Sequence, residues 1–315
     1  MTNTHKPHPT VRFIEIDDAA HGQRLDNFLL GTLKGVPKSH IYRLIRSGQV
    51  RVNKGRAKQT QRLNTGDVVR IPPVRIAQRA TTPQHTDYVP EFVFQDEYFW
   101  IVNKPAGMAV HGGSGHQLGL IESLRVLHPQ ERQLELVHRL DRDTSGAILI
   151  ARKRSVLKQL QRLLQEGGIK RFYWLLCSDF NKKHTSISAP LLRQDGAEGR
   201  KMVVSKAGKA ALTHFELVAS HGGFQLLEAE LITGRTHQLR VHSQFGGFPI
   251  LGDERYGDAS RDEALLARLG LPQRLMLHAR RLSFRHPVSG EPMHWVAPLD
   301  SQYRDALSKL NLNIR

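Results

Sequence analysis

The chain has 315 residues, 39% hydrophobic and 24% charged, with a formal charge of +17 at neutral pH. That length suits two domains and a real buried core, so folding needs neither disulfides nor metals. A single cysteine, Cys177, excludes a disulfide framework and a cysteine-rich zinc module, and it fits a reducing compartment.

No apolar run reaches the roughly 18 residues of a membrane span, and residues 1–10 lack an apolar signal-peptide stretch. The expectation is a soluble, cytoplasmic, basic protein, monomeric by default, with a polyanionic partner, nucleic acid first. Residues 1–85 hold fifteen Lys/Arg against five Asp/Glu, more than half the total excess. That asymmetry predicts a dedicated basic module at this end.

Leu25, Phe28 and Leu29 have helical spacing. Gly35 and Pro37 then break the chain, and Ser39 is the expected N-cap of a second helix. Its apolar face is Ile41, Leu44 and Ile45, with Lys38, Arg43 and Arg46 near or on the other side and Gly48 as the stop. Two short strand-like runs, 50–53 and 67–72, follow, joined through the basic stretch 54–58. Paired helices and a basic hairpin can clamp an RNA backbone through phosphate contacts, here by Arg24, Lys38, Arg43, Arg46, Arg51, Lys54 and Arg56. For any one of these, a solvated surface charge is the simpler reading.

Arg24-Leu25-Asp26, the turn at 48–53 and Leu63-Asn64-Thr65-Gly66-Asp67 occur in that order. On these residues the segment 22–73 resembles the S4 RNA-binding domain. The expected organisation is a strand plus S4-like domain over 1–80, an exposed linker over 81–90, poor in apolar residues, and a large domain over 91–315.

In the large domain, 92–94, 99–103, 146–151, 171–177 and 225–232 read as strands, and 154–165 as a helix with Leu157, Leu160, Leu163 and Leu164 inside. The irregular mixture argues for α+β rather than a doubly wound sheet. Polar residues and glycines gather in three clusters: Asn103-Lys104-Pro105-Ala106-Gly107 with His111-Gly112-Gly113-Ser114-Gly115; residues 138–146; and Gly234-Arg235-Thr236-His237-Gln238-Leu239-Arg240, with His242 beyond.

Asp141 sits between apolar runs, on an expected loop, flanked by Arg139 and Arg142. Cationic neighbours favour an ionised carboxylate, and such a group can act as a nucleophile. A salt bridge on a turn fits the same residues. The kinase catalytic loop puts its Asp directly after Arg and needs two further motifs that are missing here. Seventeen histidines form no metal-ligand spacing, so no metal is expected, and most are read as surface or RNA-facing. No second acid in a comparable loop supports a paired-carboxylate glycosidase.

His138-Arg139-Leu140-Asp141-Arg142-Asp143-Thr144-Ser145-Gly146 resembles the active-site motif of the RluA-type pseudouridine synthases. Residues 234–240 resemble the family's second signature, Arg171-Phe172-Tyr173 its Lys-x-Tyr strand with Arg in place of Lys, and the tail 286–292 also fits. The resemblance covers about residues 12–300. It implies a mixed, mainly antiparallel catalytic sheet behind the S4 domain, and a uridine isomerisation needing no cofactor. It implies Asp141 as catalytic carboxylate, Arg235 as its paired cation, and Tyr173 against the base. It also implies Arg139 filling the space a flipped uridine vacates, and ribosomal RNA of the large subunit as partner. A non-catalytic RNA-binding assembly factor on the same fold is the alternative.

Overall fold

Strand β1 (Arg12–Glu15) precedes two helices, α1 (Leu25–Thr32) and α2 (Lys38–Arg46), and three short strands, β2 (Arg51–Val52), β3 (Gly55–Arg56) and β4 (Val68–Ile71). They form one of two compact units, Met1–Gln84 and His85–Arg315. The computed structural model describes residues 10–33, 35–74, 86–112, 118–196 and 199–312. The first half of the expected linker therefore lies outside the described residues, as do residues 113–115 of the glycine-rich run.

The four strands make an antiparallel sheet in the order β1-β4-β2-β3. Val69 and Ile71 point inward to a core with Leu25, Leu29, Ile41, Leu44 and Ile45 of the helices. The period of two turns Val68 and Arg70 outward. The N-cap of α2 is Pro37, not Ser39. The Pro37 carbonyl already accepts the N–H groups of His40 and Ile41 at 2.9 and 3.1 Å, so the helix begins before the serine. Gly48 stops α2 as the spacing predicted. At φ +70° it lets its own N–H reach Ile45 O and that of Gln49 reach Leu44 O, each at 3.0 Å. Asn53 and Lys54 join β2 to β3 with φ of 49° and 69°, the positive pair that a two-residue hairpin demands.

The second unit runs β5 (Glu91–Gln95), β6 (Phe99–Lys104), α3 (Leu120–Leu127), β7 (Glu135–Leu136), β8 (Ser145–Ala151), α4 (Arg154–Gln165), β9 (Lys170–Ser178) and β10 (His184–Ser188). It continues with β11 (Leu191–Gly196), β12 (Gly199–Val204), β13 (Leu212–His221), β14 (Phe224–Leu231), α5 (Gln238–Phe245), α6 (Ala259–Arg268), β15 (Leu277–Arg285), β16 (Pro292–Val296) and α7 (Ser301–Lys309). The main sheet follows β10-β13-β14-β9-β15-β8-β6-β5, with β16 beside β15 and β7 beside β8. Among the described residues only β15 and β8 pair in parallel, so the α+β, mainly antiparallel expectation holds. β11 and β12 form a separate two-stranded antiparallel sheet.

The central strands are apolar on both faces. β8 gives Ile148 and Ile150 to one core and Ala147, Leu149 and Ala151 to the other, where α4 seals it with Val156 and Leu160. β9 sends Tyr173, Leu175 and Cys177 to the first side and Trp174 and Leu176 to the other, under α6 and α7. Gly146 lies where β8 meets β15: at φ +109° an added Cβ would collide with the Ala279 carbonyl. Among the described residues no helix is long and apolar enough to cross a membrane.

Candidate active site

The segment between β7 and β8 carries Asp141 on a turn, with Thr144 N–H bonded to the Asp141 carbonyl at 3.2 Å. Lys104, at the end of β6, holds this turn from below. It is fully buried, and Nζ donates to the carbonyls of Pro105, Met108 and Arg142, each at 2.8 Å. Burial lowers its pKa to about 7, against the pull of Asp143 and Asp141. One ammonium thus ties the first cluster to the second, at the residue beside Asp141.

The Asp141 carboxylate is 27% exposed and faces two groups: Arg240 Nη1 lies 3.7 Å from Oδ2, and His237 Nε2 lies 3.9 Å from Oδ1. Arg235, expected as its paired cation, is not among them. Its Nε donates to Ala210 O at 3.0 Å, and it stands before α5 rather than on it. The helix phase gives the physical reason. Arg240 falls one turn after His237, on the same side of the helix start, whereas Arg235 lies in the approach to it.

Arg240 is held for this task. Nε and Nη2 donate to Asp253 Oδ2 and Oδ1 at 2.8 and 2.7 Å, and its guanidinium lies over the Tyr256 ring, 5.0 Å from the centroid. Asp253 is fully buried and also accepts the N–H groups of Arg255 and Tyr256, each at 3.0 Å. Burial opposes the Arg240 charge, but the bonds and attraction from Asp253, with Asp141 behind them, outweigh it and raise the pKa. Two N–H groups fix the plane, and Nη1 faces the turn that carries Asp141.

His237 caps α5 with φ +53°, a left-handed conformation unusual for a side chain of this size. Its Nδ1 lies 2.8 Å from Tyr256 Oη, which itself accepts Met202 N–H at 3.1 Å. The buried phenol finds no other acceptor among the described residues, so it donates to Nδ1 and leaves the proton on Nε2, facing Asp141. Burial lowers the His237 pKa, with Arg240 and Arg255 adding to it and Asp141 opposing, so the ring is neutral near pH 7. Gln238 locks the approach: Oε1 accepts from Thr233 and from Arg235 N–H, and Nε2 donates to Leu212 O and Thr213 Oγ1.

Tyr173 reaches the same place from β9. A cavity of about 60 Å³ beside Asp141 is lined by Tyr173, Leu231, Leu239 and Leu277, with Arg139 and Arg235 at its edge. Burial raises the Tyr173 pKa, and the nearby Asp141 adds to this. Outside it lies a cleft of about 760 Å³, whose wall includes Arg139, Arg142, Arg255 and Arg274. Arg142 is committed to Asp143 at 2.9 Å. Among the described residues nothing takes up the exposed Arg139 guanidinium.

The histidines expected to face solvent or RNA divide. His242 and His278 are fully buried. His242 donates from Nε2 to Ala189 O at 3.0 Å and meets Thr213 Oγ1 at 2.9 Å. The predicted RNA contacts of the first unit also divide. Arg24 is bound in two places to the buried Asp26, at 3.1 and 2.7 Å. Lys38, Arg43, Arg46, Arg51, Lys54 and Arg56 are exposed.

A profile of the RNA pseudouridylate synthase family matches residues 98–245, and one of the S4 domain matches 23–69. The chain is 46% identical to ribosomal large subunit pseudouridine synthase C of Haemophilus ducreyi, over 98% of this chain and 99% of that one. It is 47% identical to the protein of the same name from Escherichia coli, over 96% and 97%. The solved structure of human RNA pseudouridylate synthase domain containing 4 matches with a TM-score of 0.59 at 29% identity, over 71% of this chain and 94% of that one. On these likenesses, which run nearly end to end, the chain belongs to the RNA pseudouridylate synthase family and carries an S4 domain.

Proposed function

We propose that this protein converts uridines of 23S ribosomal RNA, in the large subunit, to pseudouridine. Its S4-type module over 1–80 grips RNA, and 91–315 does the chemistry. The observation that carries the reading is Asp141 at the junction of a wide basic cleft and a small cavity lined by Tyr173 and four leucines together with the polar groups around Asp141. The cleft suits an RNA backbone, and the cavity a flat base taken out of its stack.

The reaction breaks the C1′–N1 bond of uridine, turns the base and joins C5 to C1′. N1 gains a proton and C5 loses one, so the product is an isomer. Asp141 is the carboxylate that meets the sugar or base. Arg240, anchored by Asp253, stabilises its charge and supplies preorganised positive charge as the bond breaks. Tyr173 walls the base; its burial keeps the hydroxyl protonated, which favours packing and hydrogen bonding over service as a free phenolate. Arg139, without a partner among the described residues and lining both cavities, is placed to fill the space the uridine leaves. Arg235 shapes the mouth.

The test is pseudouridine mapping of ribosomal RNA from cells carrying the wild-type gene or Asp141→Asn as sole copy. Modified positions should vanish with the variant and so name the target uridines. Equal modification in both strains would refute the assignment and leave an RNA-binding assembly factor.

A further inference from the structure

The outward face of the N-terminal sheet carries a row of residues that the helix surface does not explain. In an antiparallel sheet, residues directly opposite one another share a face. The register sets Phe13 opposite Arg70, Arg70 opposite Arg51 and Arg51 opposite Arg56, so one aromatic and three arginines cross all four strands in line. Phe13 is 66% exposed, although its neighbour in sequence, Ile14, packs on the core of the unit. Val68, 38% exposed, continues the apolar patch.

The arginines are aimed but not neutralised. Arg51 donates to Gly48 O at 3.2 Å and Lys54 O at 3.4 Å, and Arg70 to Gln49 O at 2.7 Å. Arg56 lies over Gly48, where an added Cβ would come within 2.8 Å of its Nε. Among the described residues none of the three forms an ion pair, and Glu15, the acid at the end of the face, pairs with none of them. Like charges set directly opposite across a sheet repel, and among the described residues no carboxylate pairs with them to offset that cost. A concavity of about 990 Å³ lies over this row, bounded by Phe13, Gln49, Arg51, Lys54, Val68 and Arg70.

We infer that this sheet face is a second RNA subsite, one that takes unpaired nucleotides. A base stacks on Phe13, and the phosphates on either side meet Arg70 and Arg51. An exposed ring explains a ligand with a flat face, and three uncompensated arginines explain a polyanion. Single-stranded RNA offers both, whereas in a duplex the faces of the bases are covered by their neighbours. The inference rests on the reading that the module meets RNA, and adds Phe13 and Arg70 to that contact set. The enzyme would then read a loop or single strand beside its target as well as helical RNA.

The test uses the full chain and a fluorescent single-stranded RNA of about 10 nucleotides, free and annealed to its complement. Phe13→Ala should weaken single-strand binding about tenfold, as loss of one base–aromatic stack does, and leave duplex binding unchanged. Phe13→Trp should restore it. Arg70→Gln should lower the salt slope by about 0.7, one phosphate contact. A 5-iodouridine in the strand should cross-link to the peptide holding Phe13. Phe13 is mostly in solvent, so its substitution leaves the fold intact. If Phe13→Ala and Arg70→Gln bind the single strand like wild type while Arg43→Gln weakens it, the sheet subsite is overturned and the proposed function stands. If single-strand binding depends on Phe13 but the protein forms no pseudouridine in ribosomal RNA, the activity reading fails and the subsite survives.

Discussion

Arg240 and Arg70 show two ways of holding the same side chain. Arg240 is buried, and a buried carboxylate takes two of its N–H groups, so its plane is fixed to within a hydrogen bond. Arg70 is half-buried on a sheet face, and among the described residues its one side-chain bond is to the Gln49 carbonyl. A carboxylate partner fixes position and offsets part of the charge, leaving the remaining N–H group aimed at Asp141. A carbonyl partner gives direction and leaves the charge for a ligand. The first arrangement suits a reaction whose atoms must meet at fixed points. The second suits affinity for a backbone that repeats, where a displacement of an ångström costs little. The charge of +17 is therefore two kinds of charge, and substitutions in the two units should move different observables.

The largest difference should come from Asp141→Asn. It should reduce the single-turnover rate by about 10⁴-fold, the scale seen when a carboxylate of a catalytic set is removed, and leave RNA affinity within a factor of about two. Weakened binding as the main effect would move Asp141 from the chemistry to the grip. Asp253→Asn should come next. Asp253 is fully buried and acts through Arg240 as a positioning residue, so kcat should fall about 10²-fold with KM nearly unchanged. The protein should also lose about 3 kcal/mol of stability, because Arg240 is left buried with its main partner gone. Arg235→Gln should cost less than tenfold, within the range of a peripheral contact. If it costs as much as Arg240→Gln, the assignment of the paired cation to Arg240 is wrong.

That reassignment marks how far the sequence could be read. The helix over 154–165 and the strand over 146–151 were legible because each has an unbroken apolar pattern and is packed as that pattern requires. The turn that holds Asp141 was legible as a loop between apolar runs, through Asp141 and its neighbours. Arg235 and Arg240 were not separable, since both stand in one short signature and only the start of α5 at Gln238 decides which faces Asp141. Asp253 and Tyr256 lie beyond the motif with no period linking them to it, and the chain returns there only in three dimensions. Lys104 was visible as part of a cluster, but its partners are three carbonyls, which leave no trace in side-chain identity.

Lys104 sets the next prediction. Its folded pKa of about 7 lies below the ordinary value of 10.5. Between those two pH values the unfolded chain binds the proton and the folded one does not, so unfolding free energy should rise with pH there, by up to about 1.4 kcal/mol per unit. Below about pH 7 both states are protonated and the slope should vanish. Lys104→Met should abolish this slope and destabilise the protein by about 3 kcal/mol, because the Nζ donors to its buried carbonyl partners are lost. Denaturant unfolding of both proteins from pH 6 to 10, about the span of the titration, decides it. A wild-type slope equal to that of the variant would show that Lys104 does not titrate in the window.

The smallest effect belongs to the other kind of arginine. Arg43 and Arg46 are exposed on α2, without carboxylate partners among the described residues. Replacing both by Gln removes charge but no packing, so stability should change by less than about 0.5 kcal/mol. RNA affinity should fall several-fold at low salt and converge with wild type as salt rises, because each lost phosphate contact takes about 0.7 from the slope of log K against log salt. The rate at saturating RNA should not change, since neither guanidinium belongs to the second unit, where Asp141 and Arg240 lie. A fall in that rate, at an RNA concentration that fills both proteins, would mean that the N-terminal charges do more than hold: they would help present the uridine, and the division between gripping and reacting arginines would fail at this helix.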